Sequence, residues 1–294
     1  MTKATVGFVG LGAMGGRIAK RLLAAGYPVR GTNRTKAKGT SLVVDHGLIW
    51  CDTPREAAEG ADVVISMVTD DTALEGVTAG TDGILAGLRA NSVYIDMSTV
   101  SPAKSREVAE RVRAAGAEML DAPVSGSLPS AEDGTLTIMV GGGEATFALV
   151  EPILQELGSS VTRIGDNGQA LLMKLAVNIS LAEQMLAFSE GVLLAERGGI
   201  DVALAVDVLT KSAIGSPMLK TRGSFILELP EQALFDVELM SKDLHLALEA
   251  AAALRVPVPN AAVANQLFTA ASAMGYADRD MAVVYQVLAE MAGQ

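Results

Sequence analysis

The sequence predicts an α/β protein: a doubly wound, mostly parallel sheet fills the first half of the chain, and an all-helical domain, joined to it by a long helix, fills the second. Two observations predict this class. Up to about residue 165, short apolar runs alternate with longer amphipathic segments, as strand-helix units do. After Gly168 the apolar residues recur at helical spacing over a stretch far longer than a strand, and two further helical segments follow.

Five apolar runs of the first half are predicted strands, because glycine or polar residues bound them and because β-branched and aromatic residues are common in them. They are TVGFVG, YPVRGTN, DVVISMV, SVYIDMS and TIMVGG. Segments such as GRIAKRLLAAG and SREVAERVRAAG lie between them and are predicted helices. The segment RIGDNGQA closes the sheet with two glycines before the long helix. We therefore predict two domains, residues 1–165 and 166–294.

Composition narrows the class of function. Half of the 294 residues are hydrophobic, which is enough for two buried cores. The 34 acidic residues outnumber the 23 basic ones, and the net charge of -11 argues against binding to nucleic acid or to an anionic membrane. Cys51 is the one cysteine, so we expect a packing thiol in a reducing compartment. Neither histidine has a second ligand at metal spacing, and we expect a cytoplasmic protein without a metal site.

The longest apolar tract is ALLMKLAVNISLAEQMLAF, which Lys174 and Glu183 interrupt. It falls short of the about 18 uninterrupted apolar residues that predict a membrane span. Lys174 itself is unusual in such a tract, with Asn178 one helical turn later on the same face. Because burying an unpaired ammonium group is costly, this lysine either extends to solvent or serves a cavity.

Glycines at fixed spacing follow the first strand and open the first helix. In a dinucleotide-binding turn the first glycine permits a tight turn, the second lets the backbone approach a pyrophosphate, and the third lets the helix pack closely. The N–H groups at the helix N-terminus bind the phosphate charge. The sequence therefore predicts a Rossmann-type domain. The predicted loop consists of Gly10, Leu11, Gly12, Ala13, Met14 and Gly15.

The second strand ends at Asn33, where an NAD-binding unit typically has an acidic residue. A neutral side chain removes the repulsion that a carboxylate would exert on a 2'-phosphate. Arg34 can donate a charged, two-pronged hydrogen bond to that phosphate, and Thr35 adds a hydroxyl. We therefore expect NADP(H) to be preferred over NAD(H). The alternative is that Arg34 belongs to a solvated turn.

Polar residues also follow other predicted strands, at the carboxyl edge where open α/β sheets bind ligands. Ser98 and Thr99 lie at the end of one such strand, and Met67, Val68 and Thr69, at the end of another, are further candidates for cofactor binding. The segment Ser125-Gly126-Ser127 offers two hydroxyls and unhindered backbone, which suits a carboxylate. Taken alone, such segments are more often plain turns.

These motifs together resemble the β-hydroxyacid dehydrogenase family over nearly all of the chain. They are GFVGLGAMG, DMSTV, DAPVSGS, GTLTIMVGG, GDNGQALLMKLAVN and KDLHLAL, in this order. The resemblance implies an NADP-dependent oxidoreductase that interconverts a small aldehyde- or keto-acid and its hydroxy acid, of the glyoxylate, succinic semialdehyde or 3-hydroxyisobutyrate type. It also implies a homodimer or a homotetramer.

The resemblance further implies roles for single residues. Lys174 matches the catalytic lysine of the family, and Asn178 matches its companion. The residues implied for substrate binding are Ser125, Gly126, Ser127, Thr99, Phe235 and Asp243. Those implied for cofactor binding, besides the loops named above, are Thr99 and Lys242.

Two details point to one branch of the family, the glyoxylate/succinic semialdehyde reductases. Ser127 stands where most members have a glycine, and SPMLK at residues 216–220 also resembles that branch; the LPS that follows Ser127 does not. Two alternatives stay open. An imine reductase-like enzyme would have Asp or Tyr at the position of Lys174. A non-catalytic NADPH-binding module would not need the polar residues that the family motifs retain.

Overall fold

The computed structural model describes residues 3–293, which divide into two compact units between Lys174 and Leu175. The first unit is built on one mixed sheet flanked by helices, and the second unit is helical. The predicted fold class is thereby confirmed. The domain boundary predicted between residues 165 and 166 stays a prediction.

The sheet of the first unit runs in the order β3-β2-β1-β4-β5-β6-β8, and β7 and β9 also pair with β8. The chain moves outward from β1 to β3 on one side and from β4 onward on the other, so the order reverses between β1 and β4. In sheets of this kind dinucleotides bind at that reversal. The strands are β1 (Val6–Val9), β2 (Val29–Thr32), β3 (Ile49–Trp50), β4 (Val63–Ser66), β5 (Val93–Asp96), β6 (Glu118–Asp121), β7 (Val124–Ser125), β8 (Thr137–Gly141) and β9 (Ser160–Gly165).

Strands β6 and β7 are two pieces of one interrupted strand. Asp121 lies opposite Gly141 and Ser125 lies opposite Thr137, so both pieces keep the same antiparallel register against β8. Strand β9 is parallel to β8, and the strands from β3 to β6 are all parallel. The prediction of a mostly parallel sheet is confirmed. Strands β3, β6, β7 and β9 are not among the five predicted runs. Two of them, β3 and β7, have only two residues, and so short a run has no readable periodicity.

Helices cover both faces of this sheet. Alternate residues of each strand point to opposite faces, so Phe8 and Ile65 belong to one buried cluster, and Val9 and Val64 to another. Several helices begin with proline in the first turn after a serine or threonine cap. The helices of this unit are α1 (Ala13–Ala24), α2 (Thr40–His46), α3 (Pro54–Ala58), α4 (Asp71–Thr78), α5 (Ile84–Gly87), α6 (Pro102–Ala114), α7 (Leu128–Asp133) and α8 (Glu144–Gln155).

Helix α9 (Gln169–Arg197) is the predicted long helix, and the division between the units falls within it. By length and composition α9 is long and apolar enough to cross a membrane, which the count of uninterrupted apolar residues did not indicate. Leu171 belongs to a core cluster of the first unit, whereas Phe188 and Val192 belong to the core of the second. Helix α9 therefore contributes side chains to buried clusters of both units.

The second unit continues with further helices, as its apolar periodicity predicts. A 3₁₀ turn at Met281–Val283 precedes the last of them, and a π-type turn at Ser272–Tyr276 follows the one before. The remaining helices are α10 (Val202–Lys211), α11 (Pro217–Arg222), α12 (Val237–Leu254), α13 (Pro259–Ala271) and α14 (Val284–Met291).

A buried ion pair ties three segments of the second unit together. Arg222 and Asp280 are 7% and 1% exposed, and Nε of Arg222 lies 3.3 Å from Oδ1 of Asp280. The other carboxylate oxygen of Asp280 accepts hydrogen bonds from the backbone N–H groups of Leu234 and Phe235, at 3.0 and 3.3 Å. The carboxylate therefore holds the segment that contains Phe235.

Candidate active site

The glycine loop leaves β1 with the backbone that a bound dinucleotide requires. Gly10 has a φ of +100°, and a Cβ at this position would lie 2.2 Å from the carbonyl oxygen of Met67. A Cβ at Gly15 would lie 2.0 Å from the carbonyl oxygen of Gly10, so neither position has room for a side chain. At Gly12 a Cβ would meet no atom within 4 Å. The loop is therefore closed toward the sheet and open where α1 begins, which fits a pyrophosphate.

Asn33 holds this loop by its side chain. Its Oδ1 accepts a hydrogen bond from the backbone N–H of Leu11 at 3.0 Å, and its Nδ2 donates to the carbonyl oxygen of Thr35 at 2.9 Å. One amide group thus links the end of β2 both to the glycine loop and to its own turn. Arg34 and Thr35 are exposed on that turn. Sequence reasoning singled out Asn33 for its lack of charge and missed this structural role.

The carboxyl ends of the central strands lie in register at one edge of the sheet. Ser66 lies opposite Val9, Asp96 lies opposite Ser66, and Asp121 lies opposite Asp96. The ladder continues one residue further, because the N–H of Met67 donates to the carbonyl oxygen of Val9 at 2.9 Å. The structure therefore brings the predicted cofactor loops of the first unit to one edge. These are residues 10–15, 33–35, 67–69 and Thr99.

A chain of buried hydrogen bonds crosses this edge. Oγ of Ser66 donates to Oδ1 of Asp96 at 2.6 Å, so the 2.6 Å contact between Ser66 and Tyr94 uses the tyrosine proton. Oγ of Ser98 donates to the same Oδ1 at 2.7 Å and accepts from the N–H of Val68 at 2.9 Å. Burial raises the pKa of Asp96 to about 6, although the hydrogen bonds from Ser66 and Ser98 act in the opposite direction.

Asp121 anchors the start of α9. Its Oδ1 accepts hydrogen bonds from the backbone N–H of Gly168 at 2.8 Å and from Nδ2 of Asn167 at 3.3 Å. Burial raises the pKa of this carboxyl as well. Because Gly168 immediately precedes α9, Asp121 holds the end of the helix from which Lys174 projects, half-buried.

Sequence reasoning assigned no role to Asp96 or Asp121, although both lie in motifs that it singled out. The signal was an acidic residue at the end of an apolar strand, in VYID and in EMLD. A charged side chain at the end of a buried strand needs partners, and here the partners are the loops themselves.

The segment Ser125-Gly126-Ser127 joins β7 to α7. Gly126 has a φ of +143°, and a Cβ there would lie 2.8 Å from Cδ2 of Leu136, so the turn requires glycine. The N–H of Ser127 donates to Oγ of Ser130 at 3.3 Å, which uses within the protein one donor that we predicted for a carboxylate. Ser125 is partly buried and Gly126 is exposed.

In the second unit, several predicted site residues form one connected group. Asn178 on α9 is 2% exposed, and its Nδ2 donates to Oδ2 of Asp243 on α12. Oδ1 of Asp243 lies 2.8 Å from Nζ of Lys242, an ion pair without hydrogen-bond geometry. Phe235, half-buried, precedes α12 and is held through its N–H by Asp280. Buried Asp243 therefore links the predicted catalytic Asn178 to the predicted cofactor residue Lys242.

Other candidates have ordinary structural surroundings. His245 is exposed and lies 3.3 Å from Glu249 one turn later. Cys51 is buried, and burial raises the pKa of its thiol. Within residues 3–293, no group of three or more His, Cys, Asp or Glu side chains is placed to hold a metal ion.

Two protein-family models match the chain. The family described as the NAD binding domain of 6-phosphogluconate dehydrogenase matches residues 5–165. The family described as the NAD-binding domain of NADP-dependent 3-hydroxyisobutyrate dehydrogenase matches residues 168–288. Together they account for nearly the whole sequence.

Individual proteins resemble the chain over nearly all of its length. Glyoxylate/succinic semialdehyde reductase 2, chloroplastic, of Arabidopsis thaliana is 34% identical over 284 residues, which cover 97% of this chain and 79% of that protein. Mycobacterium tuberculosis 3-hydroxyisobutyrate dehydrogenase with L-serine superposes with a TM-score of 0.86 at 31% identity, covering 98% and 99% of the two chains. Psf3 in complex with NADP+ and 2-OPP superposes with a TM-score of 0.88 at 26% identity, covering 97% and 100%.

Proposed function

The chain belongs to the β-hydroxyacid dehydrogenase family, and we propose that it reduces a small aldehyde- or keto-acid with NADPH, using Lys174 as the general acid. As a member it is an oxidoreductase that interconverts hydroxy acids and the corresponding carbonyl compounds. It carries an NAD(P)-binding domain. The cofactor preference, the substrate and the residue roles given below are parts of the proposal.

The observation that carries the proposal is the hydrogen bond between Asp121 and Gly168. Asp121 and the proposed carboxylate-binding Ser125 lie on the two pieces of one interrupted strand. Gly168 begins the turn into α9, which carries Lys174. One side chain therefore ties the proposed acid and the proposed substrate anchor to the same strand. Such rigid support is what a positioned proton donor needs.

For the cofactor we propose NADP(H) over NAD(H). Residues 10–15 would hold the pyrophosphate at the open face of Gly12, with the loop at residues 67–69 beside it. Asn33 presents no charge to a 2'-phosphate, because its side chain is a neutral amide, and its hydrogen bonds to Leu11 and Thr35 hold that amide in place. Arg34 is exposed on the same turn and would supply the charged hydrogen bonds, with the hydroxyl of Thr35 adding another. In the second unit, Lys242 would be a further cofactor contact.

The chemistry follows from the proposed roles. When bound, NADPH supplies a hydride to the carbonyl carbon. The ammonium group of Lys174 stabilises the oxyanion that then develops and donates the proton that completes the alcohol. Ser125, Gly126 and Ser127 bind the substrate carboxylate. Thr99, which lies in the same unit, contributes a hydroxyl to substrate and cofactor binding.

In the second unit, Asn178 is the second proposed catalytic residue, and its orientation is set by Asp243. Phe235 and Asp243 are proposed substrate residues. In the oxidative direction a neutral Lys174 would accept the proton of the alcohol.

For the substrate we propose glyoxylate or succinic semialdehyde, on the strength of Ser127 and of residues 216–220. Both compounds pair a carbonyl with a carboxylate. We further propose that the protein is cytoplasmic, that it forms a homodimer or a homotetramer, and that it acts on neither nucleic acid nor membranes.

The test is the initial rate of NADPH and NADH oxidation with glyoxylate, succinic semialdehyde, methylmalonate semialdehyde and tartronate semialdehyde. Lys174→Ala should lower kcat by on the order of 10²–10⁴-fold, the usual contribution of a positioned acid. Lys211→Ala, at an exposed lysine paired with Asp207, serves as the control and should match the parent. A Lys174→Ala enzyme within tenfold of the parent would overturn the mechanism.

A further inference from the structure

Two loops of the proposed cofactor site meet at one buried hydroxyl. Ser98 follows β5 and Val68 follows β4, and both precede segments that we assign to NADPH or substrate. We propose that Ser98 and Asp96 are positioning residues, which hold the Val68 loop and Thr99 in the geometry that binds NADPH. This inference rests on the proposed function, because it takes both loops as parts of the cofactor site.

The hydroxyl of Ser98 forms hydrogen bonds with two neighbours. It accepts from the N–H of Val68 at 2.9 Å and donates its one proton to Oδ1 of Asp96 at 2.7 Å. Ser98 is 1% exposed, so its hydroxyl is shielded from bulk water. A single buried oxygen therefore joins the loop that follows β4 to the loop that follows β5, beyond the last backbone bonds of the ladder.

Asp96 in turn sets the orientation of Ser98. All of its hydrogen bonds end on one oxygen: Oδ1 accepts from Oγ of Ser66 at 2.6 Å, from Oγ of Ser98 at 2.7 Å and from the N–H of Ser98 at 3.3 Å. Oδ2 is buried and has no hydrogen-bond partner in the described part of the chain. An asparagine can present its own Oδ1 to the same donors, whereas an alanine presents none. Because only Oδ1 of Asp96 is used, Asp96→Asn is the conservative variant to compare with Asp96→Ala.

The arrangement is poorly explained by stability alone. The strand ends at Ser66 and Asp96 are already joined by the parallel ladder. A fully buried carboxyl with one unpartnered oxygen costs folding free energy that an apolar residue would not. What the carboxyl adds is a defined position for the two loops that leave the sheet beside it. The readout that distinguishes this role is therefore the affinity of the folded protein for NADPH.

In the experiment, the full chain is titrated with NADPH and binding is followed by the fluorescence of NADPH. Thermal unfolding is measured in parallel. Ser98→Ala should weaken NADPH binding roughly tenfold, the worth of one buried hydrogen bond, and should raise KM for NADPH by a similar factor. Ser98→Thr and Asp96→Asn should recover most of the affinity that Ser98→Ala and Asp96→Ala lose. The control is Ser105→Ala, since Ser105 is equally buried and its hydroxyl has no hydrogen-bond partner in residues 3–293.

Two results would overturn the inference. One is Ser98→Ala binding NADPH as tightly as Ser105→Ala does. The other is Asp96→Asn binding as weakly as Asp96→Ala, which would mean that the shape of the side chain at Oδ1 does not matter. Binding is measured without turnover. If the parent protein binds NADPH but reduces none of the carbonyl acids, the proposed function is refuted, and the binding data still show whether Ser98 and Asp96 position the NADPH loops.

Discussion

Oδ1 of Asn33 accepts a hydrogen bond of 3.0 Å from the backbone N–H of Leu11, and this bond joins the end of β2 to the glycine loop. An aspartate at this position can accept the same bond through Oδ1, although it loses the bond that Nδ2 of Asn33 donates to the carbonyl oxygen of Thr35. The position therefore allows charge to be changed while the glycine loop keeps its acceptor.

Asn33→Asp should shift the cofactor preference toward NADH. The added carboxylate repels a 2'-phosphate, so we expect KM for NADPH to rise by roughly tenfold or more, with KM for NADH unchanged or lowered. Initial rates with each cofactor measure this. Asn33→Leu, which cannot accept the bond from Leu11, should weaken both cofactors alike. Equal effects of Asn33→Asp on the two cofactors would contradict the proposed phosphate site.

Arg34→Ala should raise KM for NADPH much more than KM for NADH. The guanidinium is exposed on the turn after β2 and is the proposed partner of the 2'-phosphate. Loss of a hydrogen bond between charged groups is worth about 1.5–3 kcal/mol, which corresponds to at least about tenfold in affinity. Lys20→Ala, at an exposed lysine on α1, is the control. If both KM values rise together, Arg34 does not select the phosphate.

Asp121→Ala should lower kcat on the order of tenfold or more, because α9 loses the acceptor for the N–H of Gly168 and with it the position of Lys174. The free energy of unfolding should fall by about 1–3 kcal/mol, since a buried N–H is left unsatisfied. Steady-state kinetics and urea unfolding measure the two effects. Asp166→Ala, in the same turn but with a side chain 92% exposed, should change neither. Full activity in Asp121→Ala would show that Lys174 is positioned by other contacts.

Asp96 should make stability depend on pH between about 4 and 6. Burial raises its pKa from the usual 3.8 to about 6, so in this window the folded protein keeps a proton that the unfolded chain releases. Stability therefore falls as pH rises through the window and levels off above it. The whole contribution is up to roughly 3 kcal/mol. Asp121, whose pKa is also raised, adds a contribution of the same sign.

Asp96→Asn removes this titration, so its unfolding free energy should change less between pH 4.5 and pH 7 than that of the parent. Urea unfolding at several pH values, analysed as the difference between the two proteins, isolates Asp96 from the other carboxyls. Identical pH dependence in both proteins would mean that Asp96 titrates as an ordinary carboxyl.

Asp280→Ala should destabilise the second unit strongly. It leaves the buried guanidinium of Arg222 unpaired and removes the acceptor for the N–H groups of Leu234 and Phe235. Breaking a buried ion pair in this way costs about 3–5 kcal/mol. Asp278→Ala, at an exposed position nearby, is the matched control. A melting temperature equal to that of the control would show that the pair contributes little.

The parts of the fold that the sequence predicts are those with a local signature. The glycine spacing, the strand-helix alternation and the long helix each depend on residues close together in the chain, and each is confirmed. The two-residue strands β3 and β7 have no such signature and form because neighbouring strands complete their hydrogen bonds.

The candidate site divides in the same way. Asn33, Lys174 and the Ser125 segment can be selected by residue type and motif. The partners of Asp96 and Asp121 cannot, because they depend on the register of β4, β5 and β6, which brings together residues from distant parts of the chain. The sequence shows the acidic residues at the ends of the strands, but it does not show which groups donate hydrogen bonds to them.

The interrupted strand of β6 and β7 has a consequence for how this protein can be altered. Ser125 and Thr137 face each other across the antiparallel ladder and close the intervening chain into a loop with a fixed base. The exposed residues inside that loop can be exchanged if Ala131 and Leu136, which belong to the buried core of the first unit, are kept, since the pairing at its base and the anchor at Asp121 lie outside it. Grafting the corresponding loop of a relative is therefore a direct route to a changed substrate range without redesign of the sheet.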